Sequence, residues 1–488
     1  MSIALIKFYL ILINQNFRDI IYMGDIMIDL SCVEEYRENN RIEAKRALKG
    51  FPNSMWETYS SFANTLGGVI LLGVEEYKDH SLHAIDLENR DEYIKIIFDG
   101  VRDRNKVSAN ILTEKDVQKV TFQGKRILAI TIPRADRLDR PVYIGTDPYT
   151  GTYRRGGEGD YRCTKKQVDA MLSDKKRVGA DIKVAKGVYF SAIDFDCVTD
   201  CRLRLELTDP VLKQKPLSDL GFLKSLKCAA EDEKKRLRPT IAGLLTFGKK
   251  EFILKKFKNF SLSYIDGVNP KNTINPQDLS AQNIYSFFFA VCEKLVDIAQ
   301  GTAVYMAMRE ALLNCLVNAN YSLGGVKIVR SESGISFENS GSFRTTPHTA
   351  VKGGVSDPRN IGVKGVFKRF GVGEGNGGGV PFIYSVWRKK GWDIPTFTES
   401  FDPDYITLTL NFHRLEQMQP TQFNREIISA LIISFLTEKR KATLGEIAKS
   451  FNVALPFAQS IVDSLLARRL VEREGDGYKL QYASTNKI

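Results

Sequence analysis

The chain is 488 residues long, with 43% apolar and 26% charged side chains and a formal charge of +12 from 70 basic against 58 acidic residues. That length carries three or four domains with separate cores, and the composition is that of a globular protein whose basic excess favours polyanionic partners such as nucleic acid. The seven cysteines are scattered without a C-x-x-C pair and there are only four histidines, which speaks against a zinc site and for reduced thiols in a cytoplasmic setting.

At the N-terminus Ile3–Ile13 is apolar but broken by Lys7, too short to span a bilayer, and without the basic start and cleavage site of a signal peptide. Residues 1–29 are expected to be a tail or to precede the true start, with Met23 and Met27 nearby, and no other segment has the length of a membrane span. A first domain is expected over residues 30–172. Glu38, Glu43 and Lys45 precede an expected helix over Trp56–Thr65. Gly67-Gly68 ends that helix, and the apolar run Val69–Val74 reads as a buried strand with Glu75 and Glu76 at its exit. Arg126–Ile132 and Pro141–Ile144 read as further strands, and Thr152–Gly157 as a basic glycine turn carrying Arg154 and Arg155.

The Glu43-Ala44-Lys45 pattern, followed by Ser61-Phe62-Ala63-Asn64-Thr65, Gly67-Gly68 and the strand, closely resembles the Schlafen-type AlbA domain. The resemblance implies binding of DNA or RNA. It also implies a nuclease site, because the RNA-cutting members set three carboxylates at the places of Glu38, Glu43 and Glu75 (or Glu76), the third being Asp there and Glu here. Three converging carboxylates can hold Mg²⁺ or Mn²⁺, polarise a phosphodiester and activate water. Lys45 would neutralise charge developing on the phosphorus, and Arg154 and Arg155 would grip the phosphate backbone.

Residues 173–300 read as a connecting α/β region without a catalytic motif. Asp181–Leu207 alternates in a strand-like way, Leu220–Ala230 has helical spacing, and the basic runs Lys234–Arg236 and Lys255–Lys258 read as solvated faces ahead of a phosphate-tracking surface. Gly243–Lys250 nearly spells a Walker A loop, but Lys250 stands where a Ser or Thr must bind Mg²⁺, and its apolar interior reads as a buried strand.

Residues 301–415 hold the most informative pattern. Glu310 and Asn314 lie four apart on an expected helix and so share one face; Glu338-Asn339-Ser340-Gly341 and the run Glu374–Gly379 follow. A carboxylate beside an amide oxygen can hold Mg²⁺ and orient water next to a triphosphate, and glycines let backbone N–H groups close over anionic oxygens. Gly373–Gly378 matches a dinucleotide fingerprint by letter, but no hydrophobic strand precedes it. The order resembles the GHKL ATP-binding fold shared by gyrase, histidine kinases and MutL, in the divergent form found in bacterial RecG-like proteins; Pro239–Gly248 is similar to a segment of the same proteins. This implies ATP and Mg²⁺ held by Glu310, Asn314, Glu338 or Asn339, Gly341, Gly375, Gly377, Gly378 and Gly379, with Asn314 on the metal. Asn318, Ala319 and Asn320 replace the usual His, Arg and Asp, so binding is implied and hydrolysis is left open.

Beyond Pro420 the register changes. An amphipathic helix over Arg425–Thr437, a short helix with Thr443 and Glu446 as a capping box, a third helix over Leu455–Arg469 and a hairpin turning at Gly475–Gly477 predict a winged helix over residues 421–488. Its third helix would present Gln459, Ser460, Ser464 and Arg468 to DNA, although Asp463 and the acidic wing (Glu472, Glu474, Asp476) oppose phosphate. The expected fold class is multidomain α/β: an α+β AlbA-type domain, a GHKL-like α/β sandwich and an α+β winged helix-turn-helix. Three readings follow: an ATP-responsive nucleic-acid-binding transcriptional regulator, a metal-dependent nuclease gated by ATP or a partner, or a protein-interaction scaffold. A homo-oligomer is compatible with each, and a membrane with none.

Overall fold

The computed structural model describes residues 20–23, 26–29, 41–78, 82–122, 124–157, 159–175, 179–207, 209–214, 217–373, 377–413, 429, 432–433, 435–436, 439–451, 455–468 and 470–480. The apolar segment Ile3–Ile13, the acid Glu38 and the glycine Gly375 lie outside these residues. The fold is mixed α/β and multidomain, with several separate sheets. Among the described residues no helix is long and apolar enough to cross a membrane.

The first unit is built on strands β1 (Ile42–Lys45), β2 (Gly68–Leu72), β3 (Val117–Phe122) and β4 (Lys125–Ile132), ordered β1-β2-β4-β3, with helix α1 (Met55–Ala63) between β1 and β2. Strand β1 runs parallel to β2, and the remaining pairs are antiparallel. The run Val69–Leu72 is continuously apolar because β2 is covered on both faces. Ile70 and Leu72 pack into the core around α1, while Val69 and Leu71 pack into a second cluster with Ile42 and Val74. Pro141–Ile144 is not a ladder strand. Asn64, just past the end of α1, holds it instead: Nδ2 donates to the Val142 carbonyl (2.7 Å) and the Tyr153 carbonyl (3.1 Å), while Oδ1 accepts from the Val142 N–H (2.8 Å). The expected glycine turn is also different, because Arg154 and Arg155 sit on strand β5 (Tyr153–Gly156), paired with β6 (Gly159–Arg162).

The connecting region is more helical than its pattern suggests. Phe195–Glu206 is a helix capped by the Asp194 side chain, with Val198, Cys201 and Leu205 buried at helical spacing, where a strand-like alternation was expected. The Walker-like segment is helix α2 (Ile241–Phe247), not a strand; Thr240 caps it and nearly all of it is buried. A short apolar run cannot be assigned to helix or strand from periodicity alone.

Downstream lie strand β7 (Leu262–Asp266), helices α3 (Ile284–Ile298) and α4 (Thr302–Asn318), strands β8 (Val326–Arg330) and β9 (Gly334–Ser340), helices α5 (Ile361–Lys368) and α6 (Gly379–Lys390), and strands β10 (Thr396–Phe401) and β11 (Asp404–Asn411). They form a five-stranded sheet ordered β7-β8-β9-β11-β10, parallel only between β7 and β8. One core runs from Ala192 to Leu410 and includes Phe288 of α3 and Leu312 of α4, so the chain is continuous in packing across the expected boundary at residue 300. Asp181, itself buried, reaches from the connecting region to accept the Gly362 and Val363 N–H groups at the start of α5 (2.7 and 3.1 Å).

The C-terminal unit contains β12 (Ala442–Thr443), α7 (Leu444–Phe451), α8 (Leu455–Ala467), β13 (Val471–Glu474) and β14 (Gly477–Leu480), with strand order β12-β14-β13. The capping box forms as read: the Thr443 N–H donates to the Glu446 carboxylate (2.9 Å) and the Glu446 N–H to the Thr443 hydroxyl (3.3 Å). Of the helix expected over 425–437, residues 425–428, 430–431, 434 and 437 lie outside the described residues, and the others are helical.

Candidate functional site

Helix α4, strand β9, the start of α6 and residues 342–345, 355–359, 371–373 and 377–378 line a cavity of about 460 Å³. Glu310 and Asn314 both line it, as their spacing on one helix face requires. Asn314 Nδ2 is buried and has no hydrogen-bond partner. Glu310 Oε2 accepts from the Gly373 N–H at 3.1 Å. Its other oxygen packs so close to Gly379 that a Cβ on that residue would stand 2.1 Å away, so only glycine leaves room for the carboxylate. Gly377 and Gly378 also line the cavity.

The strand motif divides between two faces. Asn339 is buried and faces the cavity with Phe337, whereas Glu338 alternates to the opposite face of the sheet and does not line it. Glu338 is therefore removed as a base contact, and Asn339 is the side-chain amide in place. Gly341 does not line the cavity either. It turns the chain at φ 100°, and a Cβ there would meet the Arg359 guanidinium at 3.0 Å.

Charged side chains that no sequence motif marks also line the cavity, among them Arg344, Asp357, Arg359 and Lys364. Lys364 donates to Ser356 (2.7 Å), and burial lowers its pKa against the opposing pull of Glu310. Burial likewise lowers the pKa of Arg344, with Asp357 opposing. For Arg359 burial is outweighed by Asp174, and the net shift is upward. Arg359 also donates to the Asn318 carbonyl, and Asn360 Nδ2 to the Val317 and Ala319 carbonyls, which satisfies the C-terminal end of α4. The polar cluster Asp357-Pro358-Arg359-Asn360 just before an apolar helix is a helix-start signal that could have revealed this wall.

The residues expected to handle nucleic acid or metal in the first unit are differently placed. Arg155 is buried; it pairs with Glu43 (2.8 Å) and Asp160 (3.1 Å) and lies over the Phe62 ring. Arg154 is buried against Asp404 of β11 (2.6 Å). Neither faces solvent, so the expected phosphate grip is corrected: these guanidiniums hold the protein to itself. Glu43 carries Lys45 on its other oxygen (2.7 Å), and Glu75, on the short strand Val74–Glu76, pairs with Arg46 (3.0 Å). Among the described residues no three of His, Cys, Asp or Glu converge on a metal position. Glu43 and Glu75 each already carry a basic partner. Glu43→Gln is therefore expected to act on stability: it breaks a buried pair and should cost about 3 kcal/mol in denaturant unfolding. A wild-type midpoint in that experiment would show the carboxylate to be structurally idle.

On α8, Gln459 donates to Asp463 (2.7 Å) and Ser460 to the Phe457 carbonyl (2.9 Å), so both are engaged within the helix. Arg468 is exposed, and the acids Glu472 and Glu474 of the hairpin pair with Lys479.

Residues 38–164 match the family model described as Schlafen, AlbA_2, and residues 169–263 match a domain of unknown function. A solution structure of the N-terminal domain of a RecG-related protein from Nitrosomonas europaea is 30% identical over 26% of this chain and 84% of that one, with a TM-score of 0.20. A crystal structure of a Corynebacterium diphtheriae protein is 16% identical over 91% of this chain and 92% of that one, with a TM-score of 0.38. No curated protein matches the chain. The chain contains a Schlafen-type AlbA domain over residues 38–164.

Proposed function

We propose that this chain binds ATP in the 460 Å³ cavity and nucleic acid through its other units, and that it acts as a nucleotide-responsive transcriptional regulator. The observation that carries the nucleotide reading is Asn314 Nδ2: a buried amide nitrogen with no partner, one turn from a carboxylate that accepts the Gly373 N–H. An unsatisfied buried donor costs about 1–3 kcal/mol, and a ligand that accepts its hydrogen bond recovers that cost. ATP also fits the remaining lining. Phe337 and the amide Asn339 suit a base, while Lys364 and the N–H groups around Gly377–Gly379 suit phosphates. Asn314 would supply an oxygen to the Mg²⁺ that accompanies those phosphates and neutralises their charge.

The nucleic-acid part of the reading is supported by the Schlafen-type AlbA domain, by the RecG-related neighbour and by the +12 charge. The C-terminal helices and hairpin have the element order of a winged helix, which supports a DNA-directed role. Calorimetric titration of the full chain with ATP and Mg²⁺ tests the pocket. Saturable one-site binding is expected, and no heat at millimolar ATP refutes the assignment.

A further inference from the structure

The wall of the cavity and the seam between the first unit and the second sheet are the same stretch of chain. Ser342–Thr345 and Asp357–Arg359 line the cavity. From the other side, the Phe343 carbonyl accepts from Arg134 (3.2 Å) and Arg140 (2.8 Å), and Asp357 pairs with Arg137. Arg359 pairs through two nitrogens with Asp174 (2.8 and 2.7 Å), and Arg134 through two with Glu399 of β10 (2.5 and 3.0 Å). These bonds tie Phe343, Asp357 and Arg359 of the cavity wall directly to the first unit.

The seam is overcharged. Among the described residues it gathers six guanidiniums (Arg134, Arg137, Arg140, Arg154, Arg344 and Arg359) against the carboxylates of Asp174, Asp357, Glu399 and Asp404. The excess is two: Arg137 and Arg344 share Asp357, and Arg140 is buried without a carboxylate partner among the described residues, its Nε and Nη1 making no hydrogen bond. Burial, then the neighbouring Arg134, push the pKa of Arg140 down to about 9. A buried, uncompensated charge is costly, so the closed seam is held at a smaller margin than its number of ion pairs suggests. Arg344 and Arg359 belong to both the seam and the cavity lining, so an anion in the cavity lies against this excess of positive charge.

We propose that a polyphosphate anion in the cavity clamps the first unit onto the second sheet, and that its departure loosens the seam. The inference rests on the nucleotide reading of the cavity and adds the means by which the AlbA-type domain senses it. A ligand shifts such an equilibrium only through differential affinity, and here the difference is the excess positive charge assembled beside the cavity when the seam is closed. Linkage is reciprocal: weakening the seam must weaken the ligand by the same factor.

The test uses the full chain, as wild type and as Arg137→Ala, a residue of the first unit that does not line the cavity. ATP affinity is measured for both, and hydrogen–deuterium exchange of residues 134–142 is recorded with and without saturating ATP and Mg²⁺. ATP is expected to slow exchange over 134–142 in the wild type, and Arg137→Ala to bind ATP about five- to tenfold more weakly. If the wild type binds ATP with exchange over 134–142 unchanged, the clamp is overturned and the pocket stands. A wild-type affinity in folded Arg137→Ala overturns it equally. If the wild type binds no ATP, clamp and pocket fall together. Should Arg137→Ala fail to fold, the wild-type exchange measurement decides alone.

Discussion

Asn314→Ala is expected to weaken ATP binding at least tenfold, a loss of about 1.4 kcal/mol or more, while leaving stability within about 1 kcal/mol of wild type. The two halves of that expectation come from one atom. Nδ2 is buried and unpartnered within the protein, so deleting it removes a desolvated donor that contributes nothing to the protein alone. With ligand present the same deletion removes the amide one turn from Glu310 on the helix face that lines the cavity. A residue that matters only to packing would behave the other way, with lost stability and unchanged affinity. Asn314→Asp keeps the shape and one oxygen but adds a second negative charge beside Glu310, so it too should bind ATP weakly. Calorimetric titration and thermal unfolding, run side by side on the three proteins, separate the cases. Unchanged affinity in Asn314→Ala sinks the assignment of this amide.

Much of this cavity is legible in the sequence because helix geometry is local. Four residues are about one turn, so Glu310 and Asn314 had to share a face, whereas the approach of Gly379 to Glu310 is supplied by the fold. Glu338 and Asn339 were harder to separate, because adjacent strand residues point to opposite faces and the motif alone does not say which face is covered. The arginines mislead for a different reason. A basic pair beside glycines reads as a solvent-facing grip, yet Arg154 finds Asp404 some 250 residues further along the chain, and no local pattern reports such a partner. Asn64 shows the same limit from the structural side: the helix-end motif marks it, but its work is to hold a segment, residues 141–144, whose sequence pattern predicts a strand. Period and spacing disclose what a residue's neighbours are; they do not disclose what the fold brings from a distance.

Glu399→Ala is expected to cost about 3–5 kcal/mol and to split thermal unfolding into two transitions. Its carboxylate is almost fully buried at the seam, where it accepts two bonds from Arg134 and one from the Phe343 N–H (2.8 Å). Removing it leaves Arg134 without its counter-charge beside Arg140, which never had one. The units on either side keep their own hydrophobic cores, so the damage should fall on their attachment. The sharper form of the prediction is the double variant. If the loss in Glu399→Ala comes from stranding a guanidinium, then adding Arg134→Ala should restore part of it, because no orphaned charge remains at that position. If the loss comes instead from a hole in the packing, the second truncation deepens it. Recovery in the double variant identifies charge balance as what governs the seam, and further loss identifies shape.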